Sequence, residues 1–95
     1  MSKKIYKVAH IREQGKDVII IPISNINNNL TNEKLNEIRR VFQTQAIKTK
    51  LSGEVCLVWE FNKQLFSLAP SQWKAFCTNL NMRIVKQYIN KELTL

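Results

Sequence analysis

Three side chains in this 95-residue chain are of the types that metal or nucleophilic chemistry uses: His10, Cys56 and Cys77. A structural zinc site takes four Cys or His ligands, and a Cys–His pair needs an exposed thiolate beside the imidazole. The spacing meets neither requirement. His10 is the only histidine, there is no Cys-x-x-Cys, and each cysteine sits inside an apolar pattern. Free cysteine in such a pattern packs as a small hydrophobe, and His10 reads as a strand residue at the rim of a sheet. Glu33 and Glu37 stand at a spacing that puts two carboxylates on one helix face, as acid–base catalysis would need. Glu33 lies near the helix start and Glu37 three residues before Arg40, so both read as surface charges. Gly15 and Gly53 stand alone, which leaves no glycine-rich phosphate loop. The expectation is a protein that is not an enzyme, with no catalytic residue, no metal and no cofactor.

Charge is the feature that rises above the ordinary. Fifteen Lys and Arg against seven Asp and Glu give a net charge of +8 and a pI near 9.8, a balance that favours an anionic partner. On a helix starting at Thr31, with Leu35 as the core direction, Asn36, Arg39, Arg40, Gln43 and Lys50 project in one polar band. The planar guanidinium fork suits phosphate. Lys3, Lys4, Lys7, Arg12 and Lys16 add charge in the amino-terminal hairpin, and Arg83, Lys86 and Lys91 share the polar side of the last segment. Trp59 lies in a strand that is apolar on both faces, which leaves its ring available to stack a base, an interaction worth about 1–3 kcal/mol. The candidate nucleic-acid contacts are therefore Lys7, Arg39, Arg40, Gln43, Lys48, Lys50 and Trp59. No helix-turn-helix, zinc-finger or RNA-recognition signature is present, so the expected binding is single-stranded or non-specific. The alternative function is a protein-interaction or inhibitor module with no nucleic-acid role, using an apolar sheet face or exposed strand edge, its basic surface meeting an acidic protein partner.

The elements that must position these residues are legible as alternating patterns. Ile5 to Arg12 reads as a strand, with Tyr6, Val8 and His10 on one side and Ile5, Ala9 and Ile11 on the other. The polar, glycine-containing Glu13-Gln14-Gly15-Lys16 turns it into Asp17–Ile23, a hairpin signal. Ser24 to Asn29 is loop, because short amide side chains compete for the backbone's own hydrogen bonds. Thr31 caps a helix in which Leu35, Ile38, Phe42 and Ala46 recur at helical spacing, with Leu30 and Leu35 as a hydrophobic staple. Ser52-Gly53 ends that segment. Glu54–Phe61 is a second strand, and Asn62-Lys63 a two-residue turn into Gln64–Leu68. Pro70 suits the first position of a helix carrying Trp73, Phe76, Cys77 and Leu80 on one face. Met82 to Ile89 fits helix better than strand, after a break near Asn79–Asn81.

The fold class expected is α+β: two antiparallel β-hairpins each followed by a helix (ββαββα), the sheet packed on its helices, as one domain over residues 1–95. An apolar fraction of 44% fits a globular chain. The longest apolar run is Val55–Trp59, short of a signal-peptide core and of the roughly 20 residues a membrane helix needs. A cytoplasmic, non-membrane protein follows. Asp17–Ile23 and Glu54–Phe61 are apolar on both sides; if both helices lay on one face, the other would be bare, and a homodimer packed sheet to sheet or edge to edge would cover it. The alternative is that the helices cover opposite faces or that Met82–Ile89 folds over the open side.

Phe66-Ser67-Leu68-Ala69-Pro70-Ser71-Gln72-Trp73 resembles a segment of the positive-cofactor-four type transcriptional coactivators, which carry a strand ending in Ser-Leu and then Pro and Gln-Trp at a helix entrance. The resemblance implies a curved antiparallel sheet, a dimer and binding of single-stranded DNA. This chain departs from that family by placing a helix between its hairpins.

Overall fold

A computed structural model describes residues 5–23 and 31–94. Two tight turns set the sheet. Gln14 and Gly15 both take positive φ between β1 (Ile5–Glu13) and β2 (Lys16–Pro22). Asn62 and Lys63 do the same between β3 (Glu54–Phe61) and β4 (Gln64–Leu68). Paired left-handed residues match the twist of antiparallel strands, so both turns close hairpins.

The hairpins do not meet as the sequence reading expects. Helix α1 (Asn32–Lys48) carries the chain back along the sheet, so β3 lies beside β2 in parallel, with Ile19 opposite Val55 and Ile21 opposite Leu57. A helical crossover is what parallel neighbours require. After β4 the chain forms α2 (Ser71–Thr78) and α3 (Met82–Tyr88), then adds β5 (Lys91–Thr94) antiparallel to β1. The sheet order is β4-β3-β2-β1-β5. The α+β class holds; the purely antiparallel ββαββα arrangement, and with it the antiparallel sheet implied by the local resemblance, is replaced by a five-stranded mixed sheet with three helices.

The uninterrupted apolar runs of β2 and β3 are explained by two-sided burial. Val18 to Ile21 and Val55 to Val58 are all inaccessible to solvent, the pattern of interior strands covered on both faces. On one face Ile19, Ile21, Val55 and Leu57 pack with Val8, Leu93 and the α1 residues Phe42 and Ala46. On the other, Val18, Ile20, Cys56 and Val58 pack with Ala9, Trp73 and Cys77 of α2 and Val85 of α3. Each fully buried aliphatic side chain contributes about 1.5–3 kcal/mol. The bare sheet face on which the homodimer expectation rested does not exist: the chain covers both faces with its own helices.

Local signals hold the ends. The Thr31 hydroxyl accepts from the Lys34 N–H, and the Asn81 side chain accepts from the Ile84 N–H at 2.9 Å, which starts α3 after the expected break. Pro70 stands one position earlier than expected, at the N-cap of α2. The chain needs glycine at position 53: φ is +118°, and a Cβ there would stand 2.8 Å from the Asp17 carbonyl carbon and oxygen. The Leu30 staple, the asparagine-rich loop and Lys3 and Lys4 lie outside the described residues. No helix among the described residues is long and apolar enough to cross a membrane.

Candidate nucleic-acid interface

The seven candidate residues divide into groups with different duties. Arg39 and Gln43 turn inward. The Arg39 Nε–H donates to the Val55 carbonyl at 2.8 Å; the Gln43 Nε2 donates to the Gly53 carbonyl at 3.0 Å, and its Oε1 accepts from the Val55 N–H at 2.9 Å. The reason lies in the sheet. β4 ends at Leu68, opposite Leu57, so the start of β3 has no strand on that side. The backbone groups of Val55 are buried there and need partners. The two α1 side chains supply them, and both residues are half-buried. The Gln43 amide and the Arg39 Nε–H are thereby engaged with backbone groups, while these bonds do not use the two terminal guanidinium nitrogens of Arg39.

Arg40 and Lys48 do project to solvent, with Thr44 between them at four-residue spacing, so the three form one line along α1. From Arg40 to Lys48 that line spans about 12 Å. Lys50 follows with φ +63°, in the left-handed position after the helix: its N–H bonds to the Ile47 carbonyl, and the Leu51 N–H reaches the Ala46 carbonyl. That pair of bonds is the Schellman closure, ordinarily made with glycine. Lys50 is exposed. The acidic side chains of α1, Glu33 and Glu37, lie in its first half, where Glu37 pairs with Lys34 at 3.8 Å. Lys48 and Lys50 therefore have no carboxylate of the helix beside them, whereas Glu37 stands three residues before Arg40.

Lys7 is exposed but stands apart. Along β1, Tyr6 and Val8 face α1, so Lys7 points to the α2–α3 side with Ala9 and Ile11. It cannot join the α1 line. On that same side of the sheet, Arg83 and Lys86 of α3 line an open groove of about 500 Å³ with Glu60, Met82 and Gln87. Trp59 is half-buried against the α1-side core and stacks on Phe66 of β4, ring centroids 6.2 Å apart and planes inclined by 16°. Phe66 is the more open ring of the two, at 40% exposure. Sequence reasoning singled out Trp59 and passed over Phe66, although a hairpin register counted from Asn62-Lys63 places them side by side.

The residues with potential for metal or nucleophilic chemistry are kept apart. His10 faces α1, where its Nε2 hydrogen-bonds the Ser52 carbonyl at 2.8 Å. Cys56 and Cys77 lie buried together on the opposite face, both as free thiols. The hydrogen bond to Cys77, followed by burial, pushes the Cys56 thiol far above its ordinary range. Among the described residues no three His, Cys, Asp or Glu side chains gather as a metal site would need. Glu33 and Glu37 are both exposed.

No protein-family model matches the chain, and no curated protein or solved structure matches it either.

Proposed function

We propose that this chain is a non-enzymatic nucleic-acid-binding domain with little sequence preference, in which Arg40, Lys48 and Lys50 contact phosphates. One observation carries the reading: the positive charge is not spent inside the fold. Lys7, Lys16, Arg40, Lys48, Lys50, Lys63, Lys74, Arg83, Lys86 and Lys91 are all exposed and take part in no ion pair among the described residues. Unpaired cations on a surface raise the local concentration of a polyanion, and their contacts with phosphates release its condensed counterions. Direct base readout plays no part in this reading, since the α1 line carries Thr44 and aliphatic Val41 and Ile47 between its cations. The test is binding of labelled single-stranded and duplex oligonucleotides by fluorescence anisotropy. Affinity that falls linearly on a log–log plot against salt is expected; no binding of either probe at low salt overturns the reading.

The other reading, a protein-interaction or inhibitor module, keeps the basic surface and a free strand edge such as β4, since the chain's own helices cover both sheet faces.

A further inference from the structure

The two edges of the sheet differ. β5 carries Lys91 and Glu92, the charged type of edge that discourages further pairing. β4 is Gln64-Leu65-Phe66-Ser67-Leu68, with no charge and no proline, and it pairs only with β3. In a chain of net charge +8 this is an edge that a second copy can approach without like charges meeting along the strand.

The backbone directions along β3 fix what β4 offers. Val58 gives its carbonyl to Ile23 on the β2 side, at 2.9 Å. Backbone groups alternate along a strand, so Val55, Leu57, Trp59 and Phe61 turn theirs the other way. For Val55 these are the groups that Arg39 and Gln43 hold; for Leu57, Trp59 and Phe61 they meet Leu68, Phe66 and Gln64. Leu65 and Ser67 therefore direct their N–H and C=O groups outward, away from β3.

We infer that β4 pairs with β4 of a second copy, antiparallel about a two-fold axis at Phe66. In that register Leu65 faces Ser67 of the other copy, twice, and the outward groups make four hydrogen bonds. Phe66 then faces Phe66 in the position between them, where side chains come closest and aromatic pairs stabilise a sheet. Each Phe66 already lies flat on its own Trp59, so the dimer carries a row of four rings on the α1 side. The Lys63 residues fall at opposite ends of the interface, about 20 Å apart along the strand. The inference does not rest on nucleic-acid binding, and salt separates the two. Screening strengthens the pairing of two cationic copies and weakens phosphate contacts.

The experiment is sedimentation equilibrium at micromolar to millimolar loading, with the far-ultraviolet circular dichroism of each variant as a check on the fold. Wild-type mass should rise from near 11.1 kDa toward twice that value with loading. Phe66→Lys places like charges opposite each other and should weaken association by about tenfold or more. Ser67→Pro removes one outward N–H without touching the β3 ladder and should do the same. Mixing Phe66→Lys with Phe66→Glu should restore a dimer of one copy of each, which a damaged fold would not do. Monomer mass at every loading leaves the edge to a different partner strand and overturns the inference. So does a dimer indifferent to all three substitutions.

Discussion

Gln43 holds Val55 through its backbone: Oε1 accepts from the Val55 N–H at 2.9 Å while Nε2 donates to the carbonyl of Gly53 two residues earlier, at 3.0 Å. An amide side chain thus stands in for the strand that β4 does not extend far enough to provide. Asn90 plays the same part at the other end of the sheet, accepting from the His10 N–H and donating to the His10 carbonyl beyond the β1–β5 ladder.

Gln43 therefore belongs to stability and Arg40, in the proposed reading, to binding, and substitution should separate them. Gln43→Ala removes two hydrogen bonds and strands a partly buried N–H. It should cost about 2 kcal/mol in denaturant unfolding. Arg40→Gln, on the exposed side of the same helix, should change stability by no more than about 0.5 kcal/mol and lower oligonucleotide affinity instead.

Lys50 allows a sharper separation. It occupies a left-handed position where a Cβ costs about 1 kcal/mol and glycine costs nothing sterically. Lys50→Gly should raise the unfolding free energy by roughly 0.5–1 kcal/mol, read from the denaturant midpoint, while weakening nucleic-acid binding. A variant both more stable and weaker in binding identifies Lys50 as a residue retained for its charge.

How much of this could be read from the sequence differs by element. The turns at Glu13–Lys16 and Asn62-Lys63 are legible because tight turns demand residues such as glycine and asparagine that tolerate positive φ. The break at Asn81 is legible because its side chain can cap α3. The two-sided burial of Val18–Ile21 and Val55–Val58 shows in their unbroken apolar runs. The parallel pairing of β2 and β3 does not show, since hairpin, helix, hairpin has the same pattern whichever way α1 crosses the sheet. β5 escapes notice because Lys91-Glu92-Leu93-Thr94 offers one buried apolar residue, Leu93, and no alternation to count. The backbone bonds of Arg39 and Gln43 do not show for a related reason: a helical wheel gives the direction of a side chain but not the open Val55 backbone waiting there.

The buried thiol pair responds to alkali in two opposite directions. The hydrogen bond with Cys77, then burial, holds Cys56 above its unfolded value, which lies near 8.5, while the same hydrogen bond lowers Cys77. The raised group contributes stability that is present below the unfolded pKa and declines as pH rises above it; the lowered group contributes stability that is gained over the alkaline range, so the two offset each other. Cys56→Ser keeps a hydrogen-bonding partner for Cys77 but removes the raised group. Its denaturant midpoint, measured against pH, should therefore shift upward relative to the wild type as pH rises above about 8.5.

The central claim, that Arg40, Lys48 and Lys50 engage a nucleic-acid backbone, is tested most directly by the salt slope of binding. Three phosphate contacts give a log–log slope near −2.7 on duplex DNA, or about fortyfold weaker binding at 200 mM than at 50 mM salt. With all three residues changed to Gln, the slope should become shallower by about two to three units, and affinity at low salt should fall on every sequence alike. An unchanged slope and affinity in that triple variant, or no binding by the wild type at low salt, would contradict the account.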